Sequence, residues 1–196
     1  MDGSKKAKDY ILGLAIGTFW LIAASTGFAC ALIYNAWAAR ALVALGAIGA
    51  VAGVLLLISL TQILGAVKLP KVTRATERPR VRGRFFWIVV LEVVGIALVN
   101  GAAIFTGNLS LLVPVDLIIV GVHFFPLAKL FDVPRYIALG AAFCLISVLT
   151  IVFVSPDAHT GGALSRFLIS SLGCTVAAWL IAIGNMLELR RLLSEV

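Results

Sequence analysis

Long apolar stretches alternate with short polar breaks along this chain. Six stretches reach the roughly 20 residues that a helix needs to cross a hydrocarbon core. They cover 10–34, 41–67, 85–105, 109–127, 136–154 and 163–187. Apolar residues follow one another within them, without the strict alternation of a barrel strand. Backbone surrounded by lipid must meet its own hydrogen-bonding needs, so each stretch is predicted to be a helix. The expected fold is an all-α integral membrane protein, a single domain of six transmembrane helices spanning 1–196.

Composition sharpens that picture. Of the 196 residues, 62% are hydrophobic and 13% charged. Soluble domains sit near about 45–50% and about 25%. A water-soluble globule is excluded, and so is a disordered chain, which needs low hydrophobicity and high charge. The net charge of +7 would suit a nucleic-acid binder. The cations, however, lie in the breaks between apolar stretches and form no basic stripe with aromatic residues. No nucleic-acid partner is expected.

The same cations set an orientation. With a cytoplasmic N-terminus, only Arg40 and Arg166 of the 16 Lys and Arg residues fall on the outer side. That bias obeys the positive-inside rule and places both termini in the cytoplasm. Lys5, Lys6 and Lys8 precede the first stretch as in a secretory signal, and Ala29-Cys30-Ala31 is a passable cleavage site. A signal core runs only about 7–15 residues, so the first stretch reads as a retained span. The break at 68–84 carries Lys68, Lys71, Arg74, Arg78, Arg80, Arg82 and Arg84 against Glu77 alone. It reads as a topology determinant. It would also attract anionic lipid headgroups, at about 1 kcal/mol per cation near the bilayer surface, or dock a partner.

Small residues point to helix contacts. Gly13-x-x-x-Gly17 and Gly49-x-x-x-Gly53 have the spacing that lets helices approach closely. They are expected to pack spans one and two as a tight hairpin or to form a homo-oligomer seam. Six spans permit a 3+3 inverted repeat, but the halves do not align. Cys30, Cys144 and Cys174 lie inside apolar stretches with no C-x-x-C spacing, and read as small hydrophobes. No metal site and no cofactor is expected.

The informative residues are polar ones inside the spans. Span three holds Glu92 and Asn100, and span four holds Asp116 and His123. An ionised group at a span centre costs at least about 2.5–3.5 kcal/mol, so such residues face a partner or a wet cavity. The turn between these spans falls near Thr106-Gly107-Asn108. Glu92 lies about 15 residues before it and His123 about 15 after, and equal distance from the turn means equal depth in an antiparallel hairpin. Asn100 and Asp116 match in the same way nearer the turn. Asp116 and His123 are also two helical turns apart and share a face. The expected seam is a Glu–His pair and an Asn–Asp pair, read either as mutual structural partners or as a proton or ligand path. Pro126 is expected to end span four near the cytoplasmic surface. Gln62 and Asn185, at similar depth to Glu92 and His123, are candidates for a shared inward-facing pocket. Glu188 is expected to pair with Arg190 and Arg191.

The segment Gly121-Val122-His123-Phe124-Phe125-Pro126-Leu127-Ala128, a G-x-H-F-x-P pattern, resembles one in small, uncharacterised six-span integral membrane proteins of bacteria. The resemblance covers the fourth span and its exit. It implies a bacterial inner-membrane setting and singles out His123, and it brings no chemistry with it.

These residues imply a small transporter or channel, with Glu92 and His123 carrying a proton or ligand, and Asp116 and Asn100 contacting a cation or polar substrate. One alternative is a non-catalytic scaffold or sensor that engages lipid or a partner through the basic break. Another is a membrane-embedded enzyme acting on lipid, although no G-x-S-x-G, H-E-x-x-H or phosphate-loop motif occurs. The orientation is directly testable. A reporter that works only in the cytoplasm should be active when fused to either terminus and silent when inserted after Arg40. Activity at Arg40 would invert the topology.

Overall fold

The computed structural model of the protein describes residues 3–68 and 78–194. Helices α1 (Gly3–Trp37), α2 (Leu42–Lys68), α3 (Arg78–Phe105), α4 (Leu112–Phe131), α5 (Arg135–Phe153) and α6 (Ser165–Ser194) make up almost all of it. All six are long and apolar enough to cross a membrane, as a multi-pass membrane protein requires. They outrun the apolar stretches at several ends. Lysines and arginines are good helix formers, so a helix continues beyond its apolar part. Half of the basic break is therefore helical, because α3 begins at Arg78.

Breaks between helices are short, and local chemistry explains them. A single 3-10 turn, Ala38–Ala41, joins α1 to α2, with Ala38 at a positive φ. Gly107, at φ +73, turns the chain between α3 and α4. A second 3-10 turn, Leu109–Leu111, leads into α4. Pro114 lies in the first turn of α4, where a missing N–H costs nothing. Pro126 does not end that helix, contrary to the sequence expectation. Helix α4 runs on to Phe131 and stops where Asp132 turns left-handed and donates its N–H to the Ala128 carbonyl. A two-strand hairpin, β1 (His159–Thr160) with β2 (Ala163–Leu164), links α5 to α6, and a helix-only reading of the sequence had no place for it. Gly162 N–H donates to the Ala36 carbonyl at 2.7 Å. Gly161, at φ +65, lies so close to that carbonyl that a Cβ would sit 2.5 Å from it.

Helix α6 occupies the middle of the bundle and touches α1, α2, α4 and α5. Its sequence explains this. Ser170, Ser171, Cys174, Ala178, Ala182 and Asn185 are all buried on it, and small side chains let neighbouring backbones come close. Helix α2 packs on α1 and α6, and α3 packs chiefly on α4. These two outer helices carry large exposed apolar side chains, among them Leu57, Val54, Leu91 and Leu98.

The tight glycine contact is not where the Gly-x-x-x-Gly spacing placed it. Gly13, Gly49 and Gly53 have open space where a Cβ would be, and Gly17 faces the Tyr136 hydroxyl on α5. Helices α1 and α2 meet through other residues, including Ser59, whose hydroxyl donates to the Ala15 carbonyl at 3.4 Å. The closest approach is between α4 and α5. A Cβ on Gly140 would lie 2.5 Å from the Gly121 carbonyl oxygen, and one on Gly121 would lie 2.9 Å from the Gly140 oxygen.

Arg166 closes the end of the bundle opposite the termini. The sequence treats it as a loop cation, yet it is only 8% exposed. Its guanidinium donates to the carbonyls of Val154 (2.8 Å) and Ile151 (2.9 Å) at the end of α5, and to the Ser110 hydroxyl (3.3 Å). A cation at a helix C-terminus meets unpaired carbonyls and the negative end of the helix dipole.

Gly140→Ala should lower the thermal midpoint in detergent, since overpacking a tight contact costs about 1–3 kcal/mol. Gly49→Ala should leave the midpoint unchanged or raise it slightly. Equal effects from the two substitutions would contradict the α4–α5 crossing.

Candidate functional site

The seam between α3 and α4 is built by its turn. Asn108 N–H donates to the Ala103 carbonyl and its side-chain amide to the Thr106 hydroxyl. This connection is too short to let the helices slide, so residues at equal chain distance from it face each other. The Asn100 amide donates to Asp116 Oδ2 at 3.2 Å. Further from the turn, His123 Nδ1 lies 3.4 Å from Glu92 Oε1, with side-chain exposures of 14% and 17%. The pairing that follows from counting outward from the turn is the pairing in the structure.

The two pairs are separated by an apolar plug. Ile119 lies between Asp116 and His123 on α4, and Gly95 lies between Glu92 and Asn100 on α3. The Ile119 side chain fills the space beside Gly95, 3.5 Å from where a Cβ would be. The His123 ring stacks on Phe124 with centroids 4.5 Å apart. Phe124 in turn packs against Tyr136 and Phe143 on α5. One side of the histidine is thus an aromatic wall, and the other meets the carboxylate.

Neither pair uses all of its hydrogen-bonding capacity. Asn100 Oδ1 and Asp116 Oδ1 are buried with no partner among the described residues. The His123 Nδ1 contact with Glu92 lies within ion-pairing range but lacks hydrogen-bond geometry. Buried polar atoms are normally satisfied, and each one that is not needs a reason. Each of these acceptor oxygens calls for a donor, which a proton, a water molecule or a cation would provide.

Gln62 and Asn185 belong to a different interface. Gln62 donates to the Met186 carbonyl at 2.8 Å, across α2 and α6. Asn185, fully buried, donates to the Thr18 hydroxyl at 3.3 Å, across α6 and α1. Their partners lie on α6 and α1, whereas Glu92 and His123 meet across α3 and α4. Further up the α1–α6 contact, Thr175 donates to the Ser25 carbonyl and Trp179 to the Thr26 hydroxyl.

A second charged group sits at the bundle end that holds the termini. Glu188 accepts from Arg135, at the start of α5, and from the Tyr10 hydroxyl at 2.9 Å. Sequence reasoning assigned Glu188 to the neighbouring Arg190 and Arg191. Arg135 reaches it instead, its stem passing Gly184 one turn earlier on α6, where a Cβ would lie 3.7 Å from Arg135 Nε. A glycine four residues before a glutamate on one helix was the only local sign of this contact.

Within the basic break, Lys68 and Arg84 are exposed. Lys71 and Arg74 lie outside the described residues, as do the side chains of Arg78, Arg80 and Arg82. The three cysteines are free thiols. Comparison with protein-family models, curated proteins and solved structures finds no match for this chain.

The seam generates a coupling prediction. A double-mutant cycle on Asn100 and Asp116 should return about 0.6 kcal/mol, and no more than about 1.7, as interhelical hydrogen bonds in membranes do. A cross-pair cycle combining Glu92→Gln with Asp116→Asn should be additive within about 0.3–0.5 kcal/mol, because Ile119 separates the pairs. Strong cross-pair coupling would mean that the plug is not a barrier.

Proposed function

We propose that this protein is a small multi-pass transporter that moves protons or a small cation along the α3–α4 seam. Its termini face the cytoplasm of a bacterial cell, and its bundle sits in the inner membrane. The observation that carries this reading is the unused hydrogen-bonding capacity of two carboxylate-containing pairs within one interface. Gln62 Oε1, Ser147 Oγ, Ser170 Oγ and Asn185 Oδ1 are also buried without a partner among the described residues, but those side chains do not ionise, whereas each seam pair includes a carboxylate. Intramembrane acid–histidine groups recur in proton paths because each partner holds the proton in one state and releases it in the other.

The chemistry divides between the pairs. Glu92 and His123 exchange a proton between them. The neutral acid faces neutral imidazole in one state, and the carboxylate faces imidazolium in the other. Both states leave the pair with no net charge, which limits the cost of holding it in an apolar setting. Asp116 and Asn100 present two acceptor oxygens at the other level of the seam and receive the proton or cation there. The Ile119 side chain, seated beside Gly95, blocks the way between the levels, so passage requires α3 to shift against α4. Helix α3 is suited to this, since it is held chiefly by α4.

Orientation follows from charge. The cation-rich breaks belong to the bundle end that holds the termini, and the positive-inside bias assigns that end to the cytoplasm.

The test is flux into liposomes loaded with a pH-sensitive dye under an imposed proton or sodium gradient. Wild-type protein should dissipate the gradient. Glu92→Gln and Asp116→Asn should each slow dissipation on the order of a hundredfold, the scale expected when a proton-transfer group is removed. Asp132→Asn, in the α4–α5 turn, should leave flux unchanged. Wild-type liposomes no leakier than empty ones for either ion would end the transport reading.

A further inference from the structure

The two levels of the α3–α4 seam differ in what each could hold. At the level nearer the turn, Asp116 and Asn100 bring three side-chain oxygens between them. Asp116 Oδ2 already accepts from the Asn100 amide, so a donor stands where a bare cation would approach that oxygen. At the other level Glu92 brings two oxygens, and its neighbour across the seam is a ring nitrogen, His123 Nδ1, at 3.4 Å. Asp116 and His123 stand about 10 Å apart along α4, at a rise of about 1.5 Å per residue. The Ile119 side chain, packed beside Gly95, fills the interval. An ion held at one level is out of reach of the oxygens at the other.

Backbone oxygens add little. Helices α3 and α4 run unbroken through both levels, so their carbonyls accept from N–H groups one turn further on. Pro126 makes one exception. It has no N–H, which leaves the Val122 carbonyl without its helical donor. That oxygen belongs to the residue before His123 and brings the count at that level to three at most. Among the described residues no three His, Cys, Asp or Glu side chains come together as a metal site would require. A hard cation stripped of its water takes about six oxygens. Neither level approaches that number, and the Phe124 ring closes one side of the histidine.

A proton makes no such demand. It needs one lone pair at a time, and each level has one to spare. Asp116 Oδ1 and His123 Nδ1 are both buried without a hydrogen-bond partner among the described residues. We infer that the cargo of the seam is the proton itself, held by Asp116 at one level and by Glu92 and His123 at the other, and that metal cations are excluded. This inference rests on the transport reading and narrows it. Transfer within the Glu92–His123 pair breaks the O–H bond at Glu92 Oε1 and forms an N–H bond at His123 Nδ1. Loss of one ring proton to water then restores neutral imidazole and leaves Glu92 a carboxylate, ready for the next proton. His123 is thus needed as a base, and a side chain that only hydrogen-bonds cannot replace it.

The experiment follows two ions through one preparation. Full-length protein is reconstituted in liposomes holding a pH-sensitive dye, and a potassium diffusion potential, negative inside, is imposed with valinomycin. Proton entry is read from the dye, and sodium entry from radioactive sodium in parallel. Wild-type protein should admit protons equally fast with sodium or choline as the external cation, and its sodium uptake should match that of empty liposomes. His123→Gln, which keeps a hydrogen-bonding amide but has no base, should slow proton entry about a hundredfold, with circular dichroism checking that it folds. Sodium uptake above the empty-liposome level would overturn the inference and leave transport standing. Full-rate proton entry through folded His123→Gln would overturn it as well, by removing the relay. Liposomes that admit neither ion would defeat the transport reading and this inference with it. The wild-type comparison decides between proton and sodium whatever the stability of the variant.

Discussion

Apolar surroundings offer no water to hydrogen-bond a stranded polar group, and nearly every feature of this molecule answers that constraint. Regular helices satisfy the backbone. Hydroxyls inside the helices turn back onto their own carbonyls, as Thr18 does with Leu14, Thr150 with Ile146 and Ser171 with Phe167. Arg166 places its charge on the bare carbonyls that end α5. At the other end of the bundle Glu188 is held by two donors from two different helices. Polar groups that cannot be satisfied within one helix become stitches between helices, and these stitches define which helices are neighbours.

Against that background the α3–α4 seam stands apart because its unmatched atoms sit beside carboxylates. Gln62 and Asn185 also leave one oxygen each unpaired, but each is anchored within the three-helix contact of α1, α2 and α6. The seam lies at the edge of the bundle, on a helix with a single principal neighbour. Under the proposed transport reading, such an edge helix is the element whose contacts change with least repacking of the core. Structure and chemistry thus coincide at the place where both leave something unfinished. The central helix, α6, supplies the stable body against which such a change can occur.

Small residues take two forms of work that their spacing does not distinguish. Gly121 and Gly140 bring α4 and α5 into backbone contact although neither belongs to a Gly-x-x-x-Gly pair. Gly49 and Gly53 have the pattern, yet a Cβ on either would meet nothing within 4 Å among the described residues. The pattern records that one face of one helix is smooth. Whether another helix lies on that face depends on the rest of the packing, and in α2 the buried positions are Ala52, Ser59, Gln62 and Ala66 instead.

Six helices and the Glu92–His123 and Asn100–Asp116 partnerships are legible in the order of residues alone. The physical reason is locality. Helix formation in an apolar stretch depends on that stretch alone, and a short turn fixes the register of the two helices beside it. Contacts between helices distant in the chain have no such ruler. Tyr10 meets Glu188 across nearly the whole sequence, Arg166 meets the end of α5 rather than solvent, and Gln62 and Asn185 find partners on α6 and α1. Such contacts come from global packing, because depth along a helix is written in the count of residues, whereas the side of the bundle is set by how all six helices pack together.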